Sequence, residues 1–229
     1  MVTNGGNGAQ PSAVLFSAGL DSAVLLAAAL TGGSAHPIYV RTGLAWEAQE
    51  IDAAKRLLSA PPYRNAAAMA MLTVDMRDVY PASHWAVRGE APGFNTPDED
   101  VYLEGRNIVL LSKASVYMAR NRLSRVMLGP LAGNPFPDAT PQFFETMAQA
   151  LSVGLAWQVA IETPLAQLHK ADVIRRGAAL GVPFELTLSC MQPVECVHCG
   201  RCSKCRERRD GFREAGVADP TEYRTPPER

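Results

Sequence analysis

The chain has 229 residues, 47% apolar and 20% charged, with a formal net charge of −1; it is long enough to bury a full core, its composition excludes an intrinsically disordered tail, and no basic excess points to a stable nucleic-acid partner. Residues 1–11 hold neither a positive charge nor an apolar run, so a disordered leader is expected there rather than a signal peptide or membrane anchor. The most apolar early stretch, residues 13–30, is broken by Ser17, Gly19, Asp21 and Ser22, which a bilayer span would not tolerate cheaply, and a cytoplasmic protein with no membrane partner is expected.

Ala13-Val14-Leu15-Phe16 is a short apolar run ending at a Ser/Gly turn, and residues 21–30, rich in Ala and Leu, follow as a helix. The alternation repeats. A strand is predicted over 36–40, a helix over 46–58 and a strand over 70–74. Residues 80–101, with Pro81, Pro92, Gly93 and Pro97, read as an irregular loop. Residues 107–121 carry Val109, Leu110, Ala114 and Met118 at helical spacing, and residues 125–128 form the next strand. Residues 129–141, with four prolines and two glycines, read as a second irregular loop. Loops of this length in a compact α/β domain are more often binding loops than accidents. Helices over 142–155 and 170–180 complete the pattern. Repeated strand-helix alternation specifies an α/β fold with a doubly wound parallel sheet. The expected organisation is a nucleotide-binding domain over 12–186, a small metal-binding segment over 187–214 and a polar tail over 215–229.

The loop Ser17-Ala18-Gly19-Leu20-Asp21-Ser22 lies between a buried strand and a helix start, where unpaired amides and the positive end of the helix dipole converge and hold phosphate well. Gly19 permits backbone geometry closed to other residues, Ser17 and Ser22 offer hydroxyl donors, and Asp21 can hold a magnesium ion. No Lys-Ser/Thr pair follows, which excludes a Walker A loop.

All five cysteines fall within the sixteen residues from Cys190 to Cys205. In a reducing compartment that clustering reads as metal ligation rather than a disulfide framework. Cys199, Cys202 and Cys205 repeat at a spacing of three, and with Cys190 they make a closed tetrahedral thiolate site of structural type. Zinc is the expected metal, although an iron-sulfur cluster uses the same ligands. Cys196 is left over as a bystander or a reactive thiol.

Phe16-Ser17-Ala18-Gly19-Leu20-Asp21-Ser22 resembles the S-G-G-x-D-S phosphate loop of the PP-loop, or N-type ATP pyrophosphatase, superfamily, with Ala18 in place of the first glycine. The resemblance implies a fold of the adenine nucleotide alpha hydrolase type, and cleavage of ATP between its α and β phosphates to activate a carboxylate as an adenylate. Tyr39-Val40-Arg41-Thr42-Gly43 with Glu47 and Glu50, Glu104-Gly105-Arg106-Asn107, Thr163-Pro164-Leu165 with Lys170, and the cysteine segment are together similar to the 7-cyano-7-deazaguanine synthase family, over about residues 13–212. That family makes the nitrile precursor of queuosine. The resemblance implies an ATP-dependent ligase that adenylates 7-carboxy-7-deazaguanine, lets ammonia displace AMP, and activates the resulting amide with a second ATP for dehydration. It implies ATP with magnesium on residues 16–22, Tyr39 and Arg41, and catalytic roles for Asp21, Arg106 and Lys170. It also implies substrate contacts from Arg106, Asn107, Pro137 and Asp138, zinc on Cys190, Cys199, Cys202 and Cys205, and a homodimer. One departure stands out. Where the family carries glycine-tyrosine-proline-aspartate-cysteine-arginine, this chain keeps Pro137 and Asp138 but has Ala139 and Thr140 in place of the cysteine and arginine. Three rivals remain: a family paralog that adenylates a different carboxylate, a tRNA-sulfurating PP-loop enzyme using Cys196, and a non-catalytic nucleotide-binding module.

Overall fold

Alternate residues of the first strand face opposite ways, and each face collects its own layer of helices. The structure, a computed structural model, describes residues 11–225, so the expected leader falls, apart from Pro11, outside the described residues. β1 (Ser12–Leu15) is followed by α1 (Leu20–Gly32), β2 (Ala35–Arg41), α2 (Glu47–Leu58) and β3 (Ala70–Thr73). A four-residue helix α3 (Trp85–Arg88) interrupts the first long loop, and then come α4 (Arg106–Arg120) and β4 (Arg125–Met127). α5 (Pro141–Leu155), β5 (Ala160–Glu162), α6 (Lys170–Ala179) and α7 (Ser203–Ala215) complete the chain.

The five strands form one sheet in the order β3-β2-β1-β4-β5, every neighbouring pair parallel. Val14 and Phe16 look into a core with Leu20, Val24 and Ala27 of α1, Ala53 and Leu57 of α2, and Val173 and Ile174 of α6. Ala13, Ile38, Val40 and Val126 look the other way, onto Leu111, Ala114 and Met118 of α4 and Phe144 of α5. This is the expected doubly wound parallel sheet. The chain runs outward from β1 to β3, returns, and continues outward on the other side from β4, so a crevice opens beyond the carboxyl ends of β1 and β4.

Besides the short α3, two elements escaped the sequence. β5 is three half-buried residues at the sheet edge, held to β4 by a two-pronged ion pair from Arg125 Nε and Nη2 to Glu162 at 2.8 and 2.9 Å. α7 occupies the second half of the cysteine segment: Cys202 is its N-cap, and Gly216, left-handed at φ 69°, ends it. Cys199, Cys202, Cys205 and Phe212 belong to the same buried cluster as α1 and α6.

Arg208 of α7 is 1% exposed. Its guanidinium donates to Thr187 Oγ1 at 2.8 Å, Phe184 O at 2.8 Å, Thr221 Oγ1 at 2.6 Å and Ser189 Oγ at 3.2 Å. These bonds hold residues 187–189 in place, and from there the Leu188 amide donates to Ala18 O in the β1–α1 loop at 2.8 Å.

α6 approaches α1 closely at Gly177, where a methyl group would lie 2.6 Å from both Val24 Cγ2 and Phe184 Cζ. Both neighbours are buried, so neither can move aside. Gly177→Ala is expected to lower stability by roughly 1–3 kcal/mol through overpacking, read as a shift of the urea midpoint at unchanged slope.

Candidate active site

α1 begins at the end of β1 with Gly19 as its N-cap, and no side chain caps it. The opening amides of a helix lack intrahelical acceptors, and here they face the crevice with the positive end of the helix dipole. The loop holds itself in shape: Ser22 Oγ donates to Gly19 O at 3.0 Å and accepts from the Ser17 amide at 3.3 Å. Ala18, where the family resemblance calls for glycine, is fully buried and left-handed at φ 61°, a conformation that strains any residue with a Cβ.

Two adjoining cavities open on this loop. One, of about 250 Å³, is lined by Phe16, Ser17, Ser22, Tyr39, Asn107 and Asp138 among others. The other, of about 240 Å³, is lined by Ser17, Gly19, Asp21, Trp46, Trp85 and Lys204 among others. Ser17, Glu50, Arg106 and Phe136 border both. Apolar rings wall the space: Trp46 stacks on Trp85 with centroids 5.7 Å apart, and Tyr102 on Phe136 at 5.2 Å.

Most of the residues singled out in the sequence meet here. Ala18 and Leu20 are buried beneath the loop rather than exposed in the cavities. Arg41 and Pro137 are exposed and line neither cavity. Arg106 opens α4, and its Nε is buried without a hydrogen-bond partner. Asn107 donates its amide to Asp138 Oδ2 at 2.9 Å and its side-chain Nδ2 to Asp138 O at 2.8 Å, which fixes the loop after β4 against the start of α4. Burial raises the Asp138 carboxyl above the usual carboxylate range. Thr140, where the family carries arginine, is the N-cap of α5, accepting from the Phe143 amide at 3.2 Å.

Lys170 stands at the first position of α6, its Nζ 2.8 and 2.6 Å from the two carboxylate oxygens of Asp21 and 2.7 Å from Glu207 Oε1. Burial works against its charge, but the two carboxylates outweigh that and hold its pKa above the ordinary lysine value. Glu207 also meets Lys204 Nζ through Oε2 at 2.6 Å. Burial pushes its carboxyl up, and the two lysines pull it well below the usual range.

Four residues complete the crevice without having been singled out as site residues: Glu47, Glu50, Lys204 and Glu207. Glu47 and Glu50 sit one helical turn apart on α2, a spacing visible in the sequence. Glu47 Oε1 accepts from the Thr42 amide, and from Thr42 Oγ1 and the Gly43 amide at 3.1 Å each, and so ties down the turn after β2. Glu50 accepts from Tyr39 Oη at 2.7 Å. Burial pushes its pKa up to about 7, against the opposing pull of Arg106. No comparable signal marked Lys204 and Glu207, because the cysteines beside them dominated the reading of that segment.

The four thiols of Cys190, Cys199, Cys202 and Cys205 all lie within 4.8 Å of one another and are buried. Sulfur separations of 3.9, 3.9 and 3.5 Å bracket the edge of about 3.8 Å expected for a tetrahedron with metal–sulfur bonds near 2.3 Å. Backbone amides of Cys199, Gln192 and Arg201 donate to these sulfurs at 3.3 Å, as outer-shell donors do around thiolate ligands. The cluster can hold a metal ion and is compatible with zinc. His198, buried and with its pKa pushed down to about 3 mainly by desolvation, accepts from the Ser189 amide instead of joining the cluster.

Fold and site together define an α/β protein of doubly wound parallel type, with an uncapped helix start at the switch point of its sheet and a four-cysteine centre behind it. The profile of the family described as Queuosine biosynthesis protein QueC matches residues 12–216, and the chain belongs to that family. A Methylococcus capsulatus relative named 7-cyano-7-deazaguanine synthase is 37% identical over 94% of this chain and 100% of its own length. One from Thermoplasma volcanium with the same name is 33% identical over 94% of this chain and 91% of its own. A third, from Methanoculleus marisnigri, is 36% identical over 53% of this chain and 56% of its own. Among the described residues no helix is long and apolar enough to cross a membrane.

The raised Glu50 pKa carries a sign. Its folded value of about 7 lies above the unfolded 4.5, so folding favours the protonated form, and ionisation of Glu50 costs stability as pH rises through that interval. Glu50→Gln is expected to flatten this component: the gap between variant and wild type in denaturation midpoint should widen in the variant's favour from pH 5.5 to pH 8.

Proposed function

We propose that this chain is an ATP-dependent carbon-nitrogen ligase that converts 7-carboxy-7-deazaguanine and ammonia to the nitrile, 7-cyano-7-deazaguanine. The observation that carries the reading is the uncapped start of α1 facing, across one crevice, the buried and unpartnered Nε of Arg106. One end suits a phosphate chain, and the other suits a carboxylate. The names of the relatives supply the product, and the family resemblance implies the acid as its precursor.

In this reading the carboxylate of the acid attacks the α-phosphate of ATP and pyrophosphate leaves. Ammonia then displaces AMP and gives the amide. The amide oxygen attacks the α-phosphate of a second ATP, pyrophosphate leaves again, and loss of AMP with both amide protons leaves the nitrile. The chain's own residues bind and orient. The amides of residues 17–22 hold the departing phosphates as charge builds on them, and Arg106 grips the reacting carboxylate. Tyr39, Asn107 and Asp138 border the nucleoside side, while Trp46, Trp85 and Phe136 offer flat apolar faces to a bicyclic base. Magnesium, held by Asp21, shields the phosphate charges when bound. Arg41 and Pro137 stand apart from this machinery, at the rim.

Zinc on the four cysteines braces the segment behind the loop. A pair of chains is the assembly proposed, supported by exposed apolar side chains on α4, Ile108 and Val116, and on α5, Val153. A cytoplasmic location agrees with four reduced thiols gathered for a metal.

A paralog acting on a different carboxylate has one observation in its favour. Ala139 packs toward the α4–α5 core and Thr140 caps a helix, so this loop brings no cation to the cavity. Incubation with ATP, magnesium, ammonium and 7-carboxy-7-deazaguanine, with mass spectrometry of the product, tests the substrate: the nitrile is expected, and unchanged acid with no pyrophosphate released would overturn it and point to the paralog. Asp21→Asn is expected to lower kcat/KM at least ~100-fold, and Arg106→Ala to raise the KM for the acid at least ~10-fold. Elemental analysis of purified protein should find one zinc per chain.

A further inference from the structure

Lys170, to which the family resemblance gives a catalytic role, has little left to give. Its ammonium has three donors, and three carboxylate oxygens already receive them: both of Asp21 and one of Glu207. Lys204 differs. Glu207 Oε2 is its one protein acceptor among the described residues, so two donors remain, and its side chain lines the cavity that also exposes Ser17, Gly19 and Asp21.

The backbone explains how a residue of the cysteine segment reaches that cavity. Lys204 lies between Cys202 and Cys205 in the first turn of α7, where the thiol cluster fixes the start of the helix. α7 can lie against α6 because residue 211 has no side chain: a methyl group there would collide with the Lys170 stem and come within 3.0 Å of Ile174 Cδ1. That close approach sets Glu207 between the two lysines.

We propose that Lys204 is a second phosphate contact, taking the end of the triphosphate that departs as pyrophosphate, and that Glu207 is a positioning residue that aims both Lys204 and Lys170. The inference rests on the ATP-dependent reading above. It makes the metal-bearing segment a supplier of one wall of the nucleotide site as well as a brace.

The test is calorimetric binding of magnesium-ATP and of magnesium pyrophosphate to the full, zinc-loaded chain. Lys204→Ala is expected to weaken pyrophosphate binding about tenfold, the loss of one charge-assisted contact, with zinc content and denaturation midpoint unchanged. Lys204→Arg should recover affinity to within about threefold. The Lys204 side chain is part-exposed, and Lys204→Gln serves equally should the alanine variant be unstable. Glu207→Gln should weaken binding about threefold although it removes a negative charge beside an anion site; tighter binding would show Glu207 to be a charge screen and overturn its positioning role. Affinity within twofold of wild type for Lys204→Ala or Lys204→Gln overturns the phosphate contact. A wild-type chain that binds neither ATP nor pyrophosphate instead removes the ATP-dependent reading, and this inference with it.

Discussion

The amides that open α1 have no acceptor of their own, and the crevice is organised around that deficit. A helix start normally recruits a Ser, Thr, Asp or Asn side chain to satisfy such groups; here the N-cap is Gly19, and Ser17 and Ser22 spend their hydroxyls shaping the loop. The positive pole of the helix is therefore left for a ligand. The sheet order places it at the point where chain connections diverge, in the crevice beyond the strand ends. Cations from three other elements, Arg106 of α4, Lys170 of α6 and Lys204 of α7, then converge on the same space, balanced by Asp21, Glu50 and Glu207.

Three cations beside a helix start would repel one another in a partly dry cleft, and each of these cations stands beside a carboxylate. Glu50 is the least comfortable of these, since its burial outweighs the attraction of Arg106 and leaves its ionisation poised near neutrality. Behind this array, Arg208 converts the cysteine segment into a support: it ties down residues 187–189, and Leu188 in turn is bonded to the strained Ala18. A left-handed alanine persists where surrounding bonds over-determine it.

Much of this was legible in the residues. The apolar run 13–16, the Ser/Gly turn and the Ala/Leu helix after it are a local pattern, and local patterns survive folding. So did the spacing of Cys199, Cys202 and Cys205, because thiolates three residues apart in the chain can readily reach one ion. What was hidden depends on tertiary placement. β5 is three residues whose pairing with β4 comes from the sheet edge rather than from their own periodicity. α7 is crowded with Lys204, Arg206, Glu207, Arg208, Arg209 and Asp210, and its inward face includes a buried arginine that no apolar pattern reveals. Arg41 lies one strand repeat beyond Tyr39, at the end of β2, where the chain turns away under Glu47; its exposure is set by that turn. The change at Ala139 and Thr140 read as a lost cation, and the fold shows what took its place, a cap for α5.

Glu207 and Arg208 are neighbours on α7 and do opposite things, one facing the lysines of the crevice and the other the interior. Successive residues of a helix are separated by about 100° of rotation. A one-residue change in length between Cys199 and Ser203 that rotated the helix by that angle, in either sense, would carry the guanidinium out of the interior. The tight intervals between these cysteines thus set the angular phase of a whole helix, and drift in length at that point should be tolerated far less than in the chain beyond Gly216.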